Sequence, residues 1–136
     1  MTEEKAKKEG CILLVDDDET SNYINKRIIS KFYTSDHTFI VPNGQKALEF
    51  LESQWAQKGN LPDFIFLDIN MPVMDGFQVL DEMNKKMMDY RERTKVIILT
   101  SSSNPKDIDQ AKSYEIHAYL NKPLTVEKMK QLVSHF

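Results

Sequence analysis

The chain has 136 residues, of which 40% are hydrophobic and 29% charged, and its net charge is −3. This length fits a single domain, and the negative charge argues against nucleic-acid binding, which requires a basic patch. No apolar run is long enough to span a bilayer, and the Lys- and Glu-rich N-terminus lacks the apolar segment of a secretory signal. We therefore expect a cytoplasmic protein with a solvated tail over residues 1–9 and one domain over residues 10–136.

Short apolar runs with the length and composition of buried strands recur along the chain. Four of them are Ile12–Val15, Phe64–Leu67, residues 96–99 and Ala118–Asn121. A weaker run over residues 37–41 is typical of a strand at the edge of a sheet. The sequence therefore predicts five strands.

Amphipathic stretches separate these strands and predict helices. In the first stretch, Ile24, Ile28, Ile29 and Phe32 recur at helical spacing. Asn104 and Pro105 mark the start of a later helix, because Asn is favoured at the N-cap and Pro in the first turn. Strands that alternate with helices indicate an α/β domain whose parallel sheet is covered on both faces.

Polar residues with phosphate or metal chemistry follow four of the predicted strands. In chain order they are Asp16, Asp17 and Asp18, then Asp68, Thr100 and Lys122. Ligands of open α/β sheets bind just outside the carboxyl ends of the strands. We therefore expect these side chains to converge on one edge of the sheet, where they would hold a divalent cation and a phosphoryl group.

Each residue type suits one part of that chemistry. Two carboxylates about 4 Å apart repel by about 4 kcal/mol at an effective dielectric near 20, so the cluster needs a counter-ion, and an all-oxygen site suits Mg²⁺. Asp68 can accept a phosphoryl group as an aspartyl phosphate. Lys122 supplies a positive charge and Thr100 a hydroxyl donor.

Helix capping is the competing explanation for the first acidic cluster. Asp18 is better explained as the N-cap of the following helix than as a metal ligand. On this pattern alone, the same explanation stays open for Asp16 and Asp17.

The order of these residues resembles that of a response-regulator receiver domain. The matching motifs are Asp16-Asp17, Asp68-x-x-Met71-Pro72-x-x-Asp75-Gly76, Thr100-Ser101 and Tyr119-x-x-Lys122-Pro123. The resemblance covers about residues 10–136. It implies a flavodoxin-like three-layer sandwich with about five helices and a five-stranded parallel sheet of order 2-1-3-4-5.

The resemblance also implies roles for the acidic residues. Asp68 would be the phosphoacceptor. Asp17, Asp68 and the main-chain carbonyl of Asn70 would hold Mg²⁺, and Asp16 would assist through water. The side chains two residues past the site motifs, Asn70 and Ser102, would tune the lifetime of the phosphoryl group.

Other roles implied by the resemblance concern phosphate binding and switching. Thr100 and Lys122 would bind the phosphoryl oxygens, and the Lys122–Pro123 peptide bond would be cis. Thr100 would then move toward the phosphate and Tyr119 would rotate inward. The face built from the fourth helix, the last strand and the last helix, about residues 105–136, would change shape.

The implied function is that of a stand-alone, single-domain response regulator in a two-component phosphorelay. A sensor histidine kinase or a histidine phosphotransfer protein would deliver the phosphoryl group to Asp68. Rather than a conventional enzyme, the chain would be a signalling phosphoacceptor that catalyses its own phosphoryl transfer and autodephosphorylation. Its output would pass through contacts with a downstream protein, and both a monomer and a transient dimer are compatible with the sequence.

The turn before the last strand departs from the family pattern. The family usually has Gly there, because Gly accepts the left-handed conformation that stops a helix. Here the turn reads Glu115-Ile116-His117, so we expect it to be rebuilt.

Two other functions fit parts of the sequence. Asp16, Asp18 and Thr20 match the Asp-x-Asp-x-Thr motif of haloacid-dehalogenase-like phosphatases. That family needs an acidic pair after its lysine, whereas Glu127 is the only acid after Lys122. The second alternative is a receiver fold that no longer takes phosphate, against which the presence of the whole set of site residues argues.

Overall fold

The fold is built around one parallel sheet. The computed structural model describes residues 10–34, 37–58, 60–87 and 89–136, so the predicted tail over residues 1–9 lies outside the described residues. The strands run in the order β2-β1-β3-β4-β5, which confirms the predicted flavodoxin-like class. They are β1 (Ile12–Val15), β2 (Thr38–Val41), β3 (Phe64–Leu67), β4 (Lys95–Thr100) and β5 (Ala118–Asn121).

Six helices are seen in the described ranges, one more than the approximate number predicted. They are α1 (Glu19–Ile29), α2 (Gly44–Lys58), α3 (Gly76–Lys86), α4 (Tyr90–Arg93), α5 (Pro105–Lys112) and α6 (Val126–His135). The additional helix is the short α4, so the predicted fourth and last helices are α5 and α6. None of the described helices combines the length and apolar content needed to cross a bilayer.

Helix starts follow the predicted capping chemistry. Asp18 caps α1 by accepting a hydrogen bond from the Thr20 N–H, and Asn104 caps α5 with Pro105 in its first turn. Asp18 is therefore explained by the helix, as predicted from its position.

Two hydrophobic layers cover the sheet, one on each face. Alternate residues of β1 and β3 point to opposite faces, and both strands are buried along their whole length. One layer packs against α2 and α3, and the other packs against α1 and α6. The predicted stripe on α1 is wrong in one position, because Ile24 is 42% exposed while Asn22 and Asn25 are buried.

The register of the strands places the polar residues next to one another at one edge of the sheet. Val15 of β1 pairs with Leu67 of β3, so Asp16 and Asp68 leave the sheet side by side. On the other side of β3, Thr100 of β4 pairs with Asn121 of β5, and the Lys122 N–H donates to the Thr100 carbonyl at 2.9 Å. The site residues therefore start from one rigid edge.

The turn before β5 contains a residue other than glycine in the left-handed backbone conformation. Glu115 has a φ of 55°, a conformation that costs an L-residue about 1–2 kcal/mol. Its carboxylate forms an exposed ion pair with Arg91 of α4. Glu115 therefore adopts the left-handed conformation for which the family pattern has glycine.

We predict that Glu115→Gly is more stable than Glu115→Gln by about 0.5–1 kcal/mol, since both variants lose the ion pair and only Gly relieves the backbone. Urea unfolding measures the difference. Equal free energies of unfolding would show that the turn carries no strain.

Candidate functional site

Three carboxylates meet at the carboxyl end of the central strands. Asp16, Asp17 and Asp68 each offer a carboxylate oxygen, and these oxygens lie within 4.8 Å of one another. Asp16 and Asp68 are buried, whereas Asp17 is exposed. The predicted acidic residues are thus brought together, and a set of hard oxygen donors of this kind fits a divalent cation such as Mg²⁺.

Lys122 reaches the same cluster from the end of β5. Its Nζ lies 2.5 Å from Asp16 Oδ2 and 3.0 Å from Asp68 Oδ2, and its side chain is 15% exposed. A single ammonium therefore bridges the two buried carboxylates. Because the cluster holds three carboxylates and Lys122 contacts two of them, negative charge remains to attract a cation.

Burial and pairing act in opposite directions on the ionisable groups. Burial raises the pKa of Asp16 above its usual value, although the hydrogen bond from Lys122 partly opposes this. Burial alone would lower the pKa of Lys122, but its bonds to Asp16 and Asp68 outweigh burial and raise it. The lysine is therefore charged at neutral pH.

Each buried carboxylate is oriented by a main-chain N–H two residues further along the chain. The Asp18 N–H donates to Asp16 Oδ1 at 2.9 Å, and the Asn70 N–H donates to Asp68 Oδ1 at 3.1 Å. These bonds are local Asx turns. They hold one oxygen of each carboxylate, so the other oxygen faces Lys122 in a preset direction.

Gly76 lets the loop after Asp68 close tightly onto the strand. A Cβ at this position would lie 2.6 Å from the Asp68 carbonyl oxygen and 2.9 Å from the Ile69 Cα. Main-chain atoms cannot yield as a flexible side chain does, so a larger residue would displace the backbone of Asp68. The Asp75-Gly76 motif in the sequence therefore has a steric reason.

Thr100 and Tyr119 are connected through Ser102. Thr100 is fully buried, and its Oγ1 accepts a hydrogen bond from the Ser102 N–H at 3.2 Å. The Tyr119 hydroxyl donates to the Ser102 carbonyl at 2.9 Å, as does the Asn121 amide at 3.1 Å. The Ser102 hydroxyl in turn donates to Asp107 of α5 at 2.5 Å. One residue thus joins β4, β5 and α5.

Comparison with known proteins identifies this arrangement. Residues 12–134 match the model of the response regulator receiver domain family. The chain belongs to the response regulator receiver family. Response regulator Rcp1 from Synechocystis is 34% identical over 126 residues, which cover 90% of this chain and 82% of Rcp1.

Solved receiver structures share the fold. A two-component response regulator from Cytophaga hutchinsonii has a TM-score of 0.84 at 28% identity, covering 96% of this chain and 97% of that one. The phosphorylated cyanobacterial phytochrome response regulator RcpA has a TM-score of 0.70 at 27% identity and covers 96% and 91%. The Mn²⁺-bound form of Rcp1 has a TM-score of 0.69 at 25% identity and covers 93% and 90%.

All the predicted site residues except Tyr119 lie at one edge of the sheet or in the loops that leave it, and Tyr119 lies within β5. Two residues that contact this edge were missed by the sequence patterns. Asn22 donates to the Asp16 carbonyl, and Asn25 accepts from the Leu124 N–H. Asparagine within an amphipathic helix gives no sign of a distant partner, so only the three-dimensional fold identifies them.

We predict that Lys122→Met lowers the free energy of unfolding by about 2–3 kcal/mol at pH 7.5 without divalent cations, somewhat less than for removing one partner of a fully buried pair. Part of this loss should be recovered at pH 5.5. Without the ammonium the pKa of Asp16 in the folded state rises further, so at the lower pH the folded state takes up a proton that the unfolded state does not.

Urea unfolding at both pH values tests this expectation. Lys112→Met is the matched control, because the Lys112 side chain is 75% exposed, and it should change stability by less than about 0.5 kcal/mol. A Lys122→Met variant that matched this control at both pH values would contradict the proposed electrostatic role of the lysine.

Proposed function

We propose that this receiver accepts a phosphoryl group on Asp68 from a phosphohistidine of a sensor histidine kinase or a histidine phosphotransfer protein. The supporting observation is the buried Asp68 carboxylate, which lies 3.0 Å from the Lys122 ammonium and within the three-carboxylate cluster. Membership of the receiver family supports the same chemistry. We assign the receiver to residues 10–136 and keep the cytoplasmic location as a prediction from the sequence.

The oxygen-rich cluster fits Mg²⁺ as its cation. We assign Asp17, Asp68 and the main-chain carbonyl of Asn70 as its direct ligands, with Asp16 acting through water. The Mn²⁺-bound form of Rcp1 supports a divalent site in this family. When bound, the cation would neutralise charge on the phosphoryl oxygens.

Asp68 is the nucleophile in the proposed transfer. One carboxylate oxygen forms a bond to phosphorus while the bond from phosphorus to the donor imidazole nitrogen breaks, and that nitrogen keeps the electron pair. Lys122, already within hydrogen-bond distance of the carboxylate, stabilises the charge on a phosphoryl oxygen. Later attack of water on phosphorus releases inorganic phosphate and restores the Asp68 carboxylate.

The same geometry supports a switch. The Thr100 hydroxyl accepts the Ser102 N–H in this structure and would donate to a phosphoryl oxygen after transfer. Movement of Thr100 would disturb Ser102, which anchors the Tyr119 hydroxyl. The face formed by α5, β5 and α6 would then change, while Asn70 and Ser102 would tune the lifetime of the phosphate.

We predict one phosphate adduct on the wild-type chain after incubation with acetyl phosphate and Mg²⁺, and none on Asp68→Asn. Intact-mass spectrometry with and without chelator measures the adduct. Asp109→Asn is the control, since Asp109 is an exposed carboxylate of α5 and its loss should leave the adduct unchanged.

Other outcomes of that experiment favour the alternatives. An adduct mapped to Asp16 would favour the phosphatase-like chemistry. No adduct, together with no binding of beryllofluoride, would favour a receiver fold that acts without phosphate.

We also predict that Thr100→Val takes up beryllofluoride but loses the change in hydrogen exchange that the ligand causes over residues 105–136 in the wild type. Thr94→Val is a matched control, because Thr94 precedes the other end of β4 and its buried hydroxyl has no hydrogen-bond partner among the described residues. Hydrogen-exchange mass spectrometry compares the three proteins. An unchanged response in Thr100→Val would exclude Thr100 as the switch.

A further inference from the structure

Helix α1 buries two asparagines on the face that packs against the sheet. Asn22 is 7% exposed and Asn25 is 2% exposed, and with Ile29 they form the buried face of the helix. Asparagine is a poor residue for a helix interior, and a buried amide is stable only when it is hydrogen-bonded. Each amide makes a hydrogen bond to main-chain atoms outside the helix, although Asn22 Oδ1 has no hydrogen-bond partner among the described residues.

The two amides bind main-chain atoms in two different segments next to the site. Asn22 Nδ2 donates to the Asp16 carbonyl at 2.9 Å. Asn25 Oδ1 accepts from the Leu124 N–H at 3.2 Å, across 99 residues of sequence. One face of α1 therefore connects the start of the acidic cluster with the segment that carries Lys122.

The segment around Lys122 has few main-chain donors. The Lys122 N–H is bound to the Thr100 carbonyl at 2.9 Å, and Pro123 has no N–H. The next donor is the N–H of Leu124, a residue that is 1% exposed. Asn25 is the side chain that satisfies this donor.

A second side chain holds the same segment from the solvent side. Lys128 Nζ donates to the carbonyls of Asn121 and Pro123 at 2.6 and 3.0 Å. These bonds are exposed and compete with water, whereas the bond to Asn25 is buried. A buried bond is electrostatically stronger than an exposed one, so Asn25 is the firmer anchor.

We propose that Asn25 is a positioning residue for Lys122. It fixes the main chain two residues past Lys122, and thereby keeps the ammonium within reach of Asp68. This inference rests on the proposed function, in which Lys122 binds a phosphoryl oxygen. Asn25 makes no hydrogen bond to the carboxylates among the described residues, so the affinity for the cation should depend on it only weakly.

The test compares Asn25→Leu, which removes the acceptor at similar size, with Asn25→Asp, which keeps an acceptor oxygen. Mass spectrometry gives the rate of Asp68 phosphorylation by acetyl phosphate at saturating Mg²⁺, and calorimetry gives the Mg²⁺ dissociation constant. Asn25→Leu should lower the rate about 10- to 100-fold, the loss typical of about 1 Å of misplacement. Its Mg²⁺ dissociation constant should stay within about threefold, and Asn25→Asp should recover most of the rate.

A double-mutant cycle separates positioning from general destabilisation. If Asn25 acts through Lys122, Asn25→Leu should cause no further loss of rate in a Lys122→Met background. Ile29→Val, a buried change on the same helix, is the control and should leave the rate within about twofold. If Asn25→Leu does not fold, Asn25→Ala removes the acceptor without adding volume and enters the same cycle.

Each result has a distinct meaning. A wild-type chain that forms no adduct would overturn the proposed function and this inference with it. A wild-type chain that is phosphorylated while the acceptor-free variant keeps its rate would overturn the inference alone. Equal losses in both backgrounds, or a parallel loss of Mg²⁺ affinity, would also overturn it.

Discussion

The site requires the fold to hold three carboxylates close together at one end of the sheet. Carboxylate oxygens within 4.8 Å of one another repel by about 3–4 kcal/mol per pair at an effective dielectric near 20. The sheet withstands this repulsion because β1 and β3 are buried throughout and paired in register. Lys122 offsets part of this repulsion, and the Asx turns at Asp16 and Asp68 fix the orientation of the two buried carboxylates.

The same edge also joins the chemistry to the rest of the molecule. Ser102 contacts Thr100, Tyr119 and Asp107 at once, through its N–H, its carbonyl and its hydroxyl. In the proposed switch, a displacement at Thr100 would therefore act on α5 and β5 through these bonds. These hydrogen bonds connect the end of β4 with β5 and with α5 at the surface of the protein.

Much of this structure could be predicted from local sequence patterns. The apolar runs predicted the strands, and Asp18 and Asn104 were correctly predicted as caps because capping chemistry acts over a few residues. The strand order came from the family resemblance, since local patterns do not specify which strands pair.

Other features escaped prediction for physical reasons. Helix α4 has four residues, too few for a periodic pattern. Ile24 was assigned to a buried stripe, but Asn22 and Asn25 turn inward to reach Asp16 and Leu124, which places Ile24 toward solvent. A bond between residues 99 positions apart has no signature in a sequence window.

The bridging lysine also bears on the order of folding and cation loading. With Lys122 as a built-in counter-ion, the two buried carboxylates are partly neutralised in the folded chain without a cation, and a cation that bound here would compete with the ammonium for their oxygens. An acidic cluster without such a lysine would instead tie the folded population to the supply of divalent ions. The presence of Lys122 would therefore make folding of this receiver less dependent on divalent cations.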